Sequence, residues 1–125
     1  MSNGNVPEEQ RTELISAART VVGDELRSLT YFTEEEFEQL YLRDDLDRTA
    51  DLVGFAENER LGFRSQQAYK GSELGRYQFT IRVFETGYLT RVIGGEHGVW
   101  VTTDPMKIDR FEELASSLAS VLREF

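Results

Sequence analysis

Tyr31 and Phe32 stand side by side in a run of strand-forming residues, and so do Leu40 and Tyr41, and Val92 and Ile93. Successive side chains on a strand point to opposite faces. Such neighbours make a sheet that is apolar on both sides, and each side then needs cover. This excludes a bare sheet and asks for helices above and below it. The chain has 125 residues, enough for one ordinary domain. With 39% hydrophobic residues it can bury roughly two-thirds of its unfolded surface.

Hydrophobic spacing places the helices. Residues 1–6 read as a flexible start, and a single domain is expected over 7–125. Pro7 suits the first turn of a helix, with Glu8 and Glu9 at its positive end. Leu14, Ile15, Ala18, Val21 and Val22 follow in one stripe, and Gly23 ends the helix at about 7–22. Asp44 or Asp45 is the expected cap of a second helix, with Leu46, Thr49 or Ala50, Val53, Glu57 and Leu61 on one face. That helix is expected to run to about Asn58 or Arg64, with Gly54 as a weak point. Phe111, Leu114, Ala115, Leu118, Leu122 and Phe125 form the stripe of a last helix, capped by Asp104 or Asp109.

Five segments alternate as strands do. Arg27 to Thr33 is rich in strand formers. In Phe37 to Arg43, Phe37, Gln39 and Tyr41 share one face, and Glu38, Leu40 and Leu42 the other. Tyr77, Phe79, Ile81 and Val83 alternate with polar residues, and Thr86-Gly87 leads by a tight turn into Tyr88 to Ile93. Gly94 to Gly98 reads as a longer turn before a fifth strand, Val99 to Thr103. The polar, glycine-bearing stretch Gly62 to Arg76 reads as a loop, where functional residues concentrate. The order α-β-β-α-β-β-β-α gives an α+β domain with a five-stranded antiparallel sheet, two helices on one face and one on the other.

That order resembles the roadblock/LC7 fold over residues 7–125, and more broadly the profilin-like and longin-like domains. The resemblance implies a small dimerising scaffold with no catalytic residue to carry over. Two copies would pair through the second helix and the third strand, here about 45–60 and Tyr77 to Glu85. The stretches YFTEEEFEQLYLR, ENERLGF and YQFTIRVFETGYLTRV are also similar to a small acidic family of haloarchaeal proteins, which implies a cytosolic archaeal origin.

Charge narrows the environment. Fourteen Lys and Arg stand against 23 Asp and Glu, a net charge of −9. Only Lys70 and Lys107 are Lys; the other basic residues are Arg. Such a surface suits high salt, where a Debye length of about 3 Å at 1 M leaves little self-repulsion. The absence of any run of three basic residues argues against nucleic-acid binding. No apolar stretch approaches the ~20 residues of a membrane span. The polar start Met1 to Gln10 does not read as a signal peptide, and a cytoplasmic location is expected.

The composition also removes chemistries. Without cysteine there is no disulfide, no thiolate nucleophile and no Cys-held metal. His97 is the single histidine, so one chain cannot build a multi-His site. Between Gly95 and Gly98 it reads as an exposed turn residue rather than a base for a nucleophile. Gly94 to Gly98 lacks the lysine and spacing of a phosphate loop and precedes a strand, so it reads as a hairpin turn. Glu34-Glu35-Glu36 reads as a solvated turn, since it lacks the spaced ligands of a calcium loop. Asp44, Asp45, Asp47 and Asp51 suit a helix start better than paired catalysis. Trp100 is expected in the core, with an interface anchor as the competing reading.

No cofactor, metal or catalytic residue is therefore expected, and the chain reads as a non-enzymatic interaction module, a homodimeric adaptor. Its candidate partner-binding residues are Tyr77, Phe79, Ile81 and Val83 on the third strand, with Arg60, Arg64 and Tyr69. Edge strands pair readily with other strands. Arg60, Arg64 and Arg76 with Tyr69 and Tyr77 also suit an anionic ligand or an acidic partner surface, although ion pairs with the many carboxylates compete. The alternative from another class is a small-molecule sensor with a pocket between sheet and second helix, under the Gly62 to Arg76 loop.

Overall fold

The computed structural model describes residues 6–48, 52, 54–105 and 110–125. Helix α1 spans Glu8–Val22. Strands β1 (Leu26–Phe32) and β2 (Phe37–Leu42) follow. Two short helices come next, α2 (Phe55–Arg60) and α3 (Gly62–Ser65), continued by a 3-10 turn over Gln66–Tyr69. Strands β3 (Thr80–Phe84), β4 (Gly87–Gly94) and β5 (His97–Thr103) precede the last helix, α4 (Arg110–Leu122). The five strands form one antiparallel sheet in the order β2-β1-β5-β4-β3.

Each face of the sheet has its own core. On one face Leu14, Ala18, Val21 and Val22 of α1 and Leu114, Ala115, Leu118 and Leu122 of α4 bury Leu29, Val92, Val99 and Val101. On the other, Phe32, Leu89 and Trp100 pack under Ala56, Phe55 and Phe63. The neighbours Tyr31 and Phe32, and Val92 and Ile93, divide between the two cores as alternation requires. Trp100 is fully buried against Phe32, with ring centroids 5.2 Å apart, and belongs to the core. Val6 is also buried in the α1–α4 core, inside the stretch expected to be a flexible start.

Leu40 and Tyr41 depart from the expected alternation. Leu29 pairs with Tyr41 while Thr30 pairs with Gln39, so Leu40 is an extra residue in a bulge. The bulge turns both side chains to the helical face, where Leu40 joins the core and Tyr41 packs against it. Arg19 of α1 then donates to the Tyr41 hydroxyl at 2.9 Å.

The second helix is the largest correction. It does not begin near Asp44 or Asp45, because residues 44–46 form a turn. There Asp45 accepts from Arg43 at 2.7 Å instead of capping a helix. The helix start expected around Asp47 also fails, since Asp47 is not helical; Asp51, with Thr49, Ala50 and Val53, lies outside the described residues. Gly54, read as a weak point, is the residue before the helix, at φ 83°. Its left-handed backbone suits glycine and lets the chain turn into α2. The stretch read as a loop from Gly62 is helical as far as Tyr69.

Smaller corrections follow the hydrogen bonds. Gly94 pairs with His97, so the β4–β5 turn is only Gly95-Glu96, with Gly95 at φ 65°. Asp104 accepts from Arg43 at 2.6 Å and its N–H donates to the Glu25 carbonyl at 2.9 Å, while the residues it was expected to cap, 106–109, lie outside the described residues. Asp109 lies outside the described residues. Tyr77 to Phe79 are not strand, and β3 is correspondingly short.

Gly98 shows why a side chain is not allowed within β5. A Cβ there would fall 2.6 Å from the Phe32 ring, which lies over the strand. Phe32 is held by Trp100 and Phe63 and has nowhere to move. Gly98→Ala is expected to cost about 1–3 kcal/mol by overpacking, read as a lower urea midpoint with unchanged slope.

Candidate interaction surface

Strand β3 lies at the outer edge of the sheet, and among the described residues no other strand covers its free side. Thr80, Arg82 and Phe84 point to the α2 face; Ile81 and Val83 point to the α1–α4 face. Neither of those helices reaches that far, and Val83 is 73% exposed. Ile81 is half-buried. On the α2 side Phe84 is 49% exposed and stacks on Phe55 at 6.3 Å, while Leu61, just past α2, is 60% exposed. An edge strand and an apolar helix end are thus offered together.

The expected partner residues do not all meet there. Phe79 packs against the α1–α4 core. Tyr69 and Tyr77 pair with each other at 5.7 Å in the stretch before β3. Arg60 and Arg64 turn away, toward the β1–β2 turn. Arg60 donates to the Glu35 carbonyl at 3.0 Å and lies over the Phe37 ring at 5.9 Å. Arg64 binds the Glu34 carboxylate at 3.1 Å. A carboxylate therefore competes successfully for Arg64, while Arg60 is taken up by a backbone carbonyl and an aromatic ring. An open cleft of about 1680 Å³ separates the stretch before β3 from the end of β4, with Phe63, Tyr69, Arg76, Tyr77 and Ile93 among its lining.

His97 is not an exposed turn residue. Because the turn ends at Glu96, His97 is the first residue of β5 and its ring lies half-buried on the helical face. Its Nδ1 is 2.5 Å from the Tyr31 hydroxyl, and Phe125 packs on both rings. Burial, helped by the Glu36 charge, raises the Tyr31 pKa above that of an ordinary phenol. Among the described residues no three His, Asp or Glu side chains gather as a metal site would require.

The strongest polar feature lay outside the expectations. Glu59 of α2 is only 1% exposed and meets two arginines from the sheet. Arg91 of β4, 3% exposed, donates to Glu59 Oε1 at 3.0 Å and to Thr80 Oγ1 at 2.9 Å. Arg82 of β3 donates to Glu59 Oε2 at 2.7 Å and to Oε1 at 3.3 Å. These bonds hold the Arg82 pKa above its ordinary value, against the opposing effect of burial. Gly62 makes room: a Cβ there would come within 2.5 Å of the Arg91 guanidinium. The available signal was Arg91 itself, a charge inside the apolar run Leu89 to Ile93. Its cross-strand partner is Trp100.

The sequence matches, over residues 12–123, the family described as Domain of unknown function (DUF7522). The chain belongs to the DUF7522 family. No curated protein matches it. Among solved structures, this DUF7522 domain is similar to gliding protein MglB from Thermus thermophilus, at 16% identity and TM-score 0.66, covering 96% of this chain and 93% of that one. It is similar to MglB with a tetrameric arrangement at 17% identity and TM-score 0.65, covering 95% and 92%. It is also similar to a roadblock/LC7 domain from Streptomyces avermitilis at 11% identity and TM-score 0.58, covering 87% and 91%. At these identities the likeness shows the fold, and the fold is that of roadblock/LC7 domains.

Glu59 is the shared counter-charge of both arginines, and removing it breaks the buried pair at a typical cost of about 3–5 kcal/mol. Glu59→Leu alone is expected to lose stability on that scale. Combined with Arg82→Met and Arg91→Met it is expected to recover most of the loss, because apolar side chains of similar volume replace the cluster. Urea titrations of the single and triple variants check both outcomes.

Proposed function

We propose that this DUF7522 chain is a non-enzymatic protein-interaction module, a homodimeric adaptor working in a salt-rich cytosol. The observation that carries the reading is the bare outer edge of β3 beside the exposed end of α2. Two β3 strands related by a two-fold axis would extend the sheet across both copies, with Ile81 and Val83 of each at the junction. Tyr77, Tyr69, Arg60 and Arg64 lie outside that junction and suit a further protein partner instead; Phe79 supports the edge from within. The roadblock/LC7 fold and its occurrence in an MglB of tetrameric arrangement favour assembly over catalysis. Net charge −9 and near-exclusive use of Arg over Lys favour the saline setting.

Sedimentation equilibrium in molar salt tests this. The expected mass is twice the 14.4 kDa of the chain. Val83→Lys places a charge on the joining edge and is expected to give a folded monomer. A parent chain that stays monomeric at high concentration overturns the reading.

The cleft beside the stretch before β3 favours a second reading, a small-molecule sensor. A ligand present at 100 times its dissociation constant would add about 2.7 kcal/mol to stability. A thermal-shift screen in which one metabolite class raises the melting temperature supports the sensor; a screen without such a class removes it.

A further inference from the structure

We infer that Arg82 is a positioning residue, which through Glu59 locks the edge strand β3 and helix α2 into one preformed docking surface. The inference rests on the dimer reading and names the device that readies its interface. All three β3 side chains that face α2 are engaged on that side. Thr80 accepts from Arg91, which holds Glu59; Arg82 binds Glu59 directly; Phe84 stacks on Phe55. On the opposite face Val83 stands in solvent. Among the described residues β3 has only β4 as a neighbour in the sheet. The placement of β3 relative to α2 therefore depends on this single row of contacts.

The two arginines have different tasks. Arg91 is buried, lies over Gly62 and fixes the Glu59 carboxylate against the sheet. Arg82 reaches the same carboxylate from the outermost strand with two of its nitrogens, and its side chain is 39% exposed. A forked, charge-assisted contact of this kind fixes orientation as well as distance. Without it, Glu59 still has Arg91, so α2 keeps its anchor and the core is untouched. What is lost is the direct charged link between α2 and the edge, leaving the Thr80–Arg91 bond and the Phe84–Phe55 stack between them. A surface assembled from two independently moving elements must be ordered on binding, and that ordering costs affinity.

The test compares the full-length parent with Arg82→Met by sedimentation equilibrium and by amide hydrogen exchange at a dilution where both are monomeric. The expected result is a melting temperature within a few degrees of the parent, self-association weakened at least tenfold, and faster exchange in both Phe55–Arg60 and Thr80–Phe84. Equal self-association overturns the inference. Weaker association with unchanged exchange also overturns it, because Arg82 would then act by touching the partner. If the parent itself proves monomeric, the dimer reading fails, and the exchange comparison alone decides whether Arg82 couples the two elements. Glu59→Gln serves as the second variant: it is expected to accelerate exchange in both segments by removing the charge both arginines share, and unchanged exchange in either segment counts against the coupling.

Discussion

A sheet that is apolar on both faces cannot be left half covered, and the rest of this structure answers that demand. The two faces are covered in different ways. On one side α1 and α4 supply continuous aliphatic stripes, and burial of that kind is non-directional. On the other side the cover is two short helices, α2 and α3, of six and four residues. Helices so short have little stability of their own. They are held by the aromatic cluster around Trp100, by the bonds of Arg60 and Arg64 to the β1–β2 turn, and by the buried carboxylate of Glu59 between Arg82 and Arg91.

Buried ion clusters add little net stability compared with apolar packing, but they fix geometry. Here the geometry concerns the outermost strand. Among the described residues β3 is short, has one neighbour in the sheet and leaves Val83 exposed on the α1–α4 side. Polar contacts on its α2 face hold it flat against the domain, while its outer backbone edge stays open. Under the dimer proposal, that open edge is the surface a second copy would pair with. The titratable groups do other work: His97 is engaged by Tyr31, and most carboxylates are spread over turns and helix starts.

The strands and the long helices were legible because their signals are local. Alternation in Ile81 to Val83, the stripe from Leu14 to Val22 and the glycines at the turns each act within a few residues. The second helix was misplaced for a long-range reason. Its short length gives no full stripe, and its start is set by the left-handed backbone of Gly54 and by what Glu59 finds on the sheet. The bulge at Leu40 was equally hidden, since it arises from register against β1. For the site, the edge strand could be anticipated, but the cluster could not be assembled: Glu59 is far along the chain from both arginines, and of the three only Arg91, inside an apolar run, does not look like a surface charge. Arg60 and Arg64 were placed in the interface because their partners, at the β1–β2 turn, come from distant sequence.

The account turns on β3 being the edge that recognises, and amide exchange followed as a function of protein concentration measures this residue by residue. The amides of Thr80–Phe84 are predicted to slow as concentration rises in molar salt, while those of β2, the opposite edge, keep one rate. Exchange in β3 that is independent of concentration, or protection that appears at β2 instead, would contradict it.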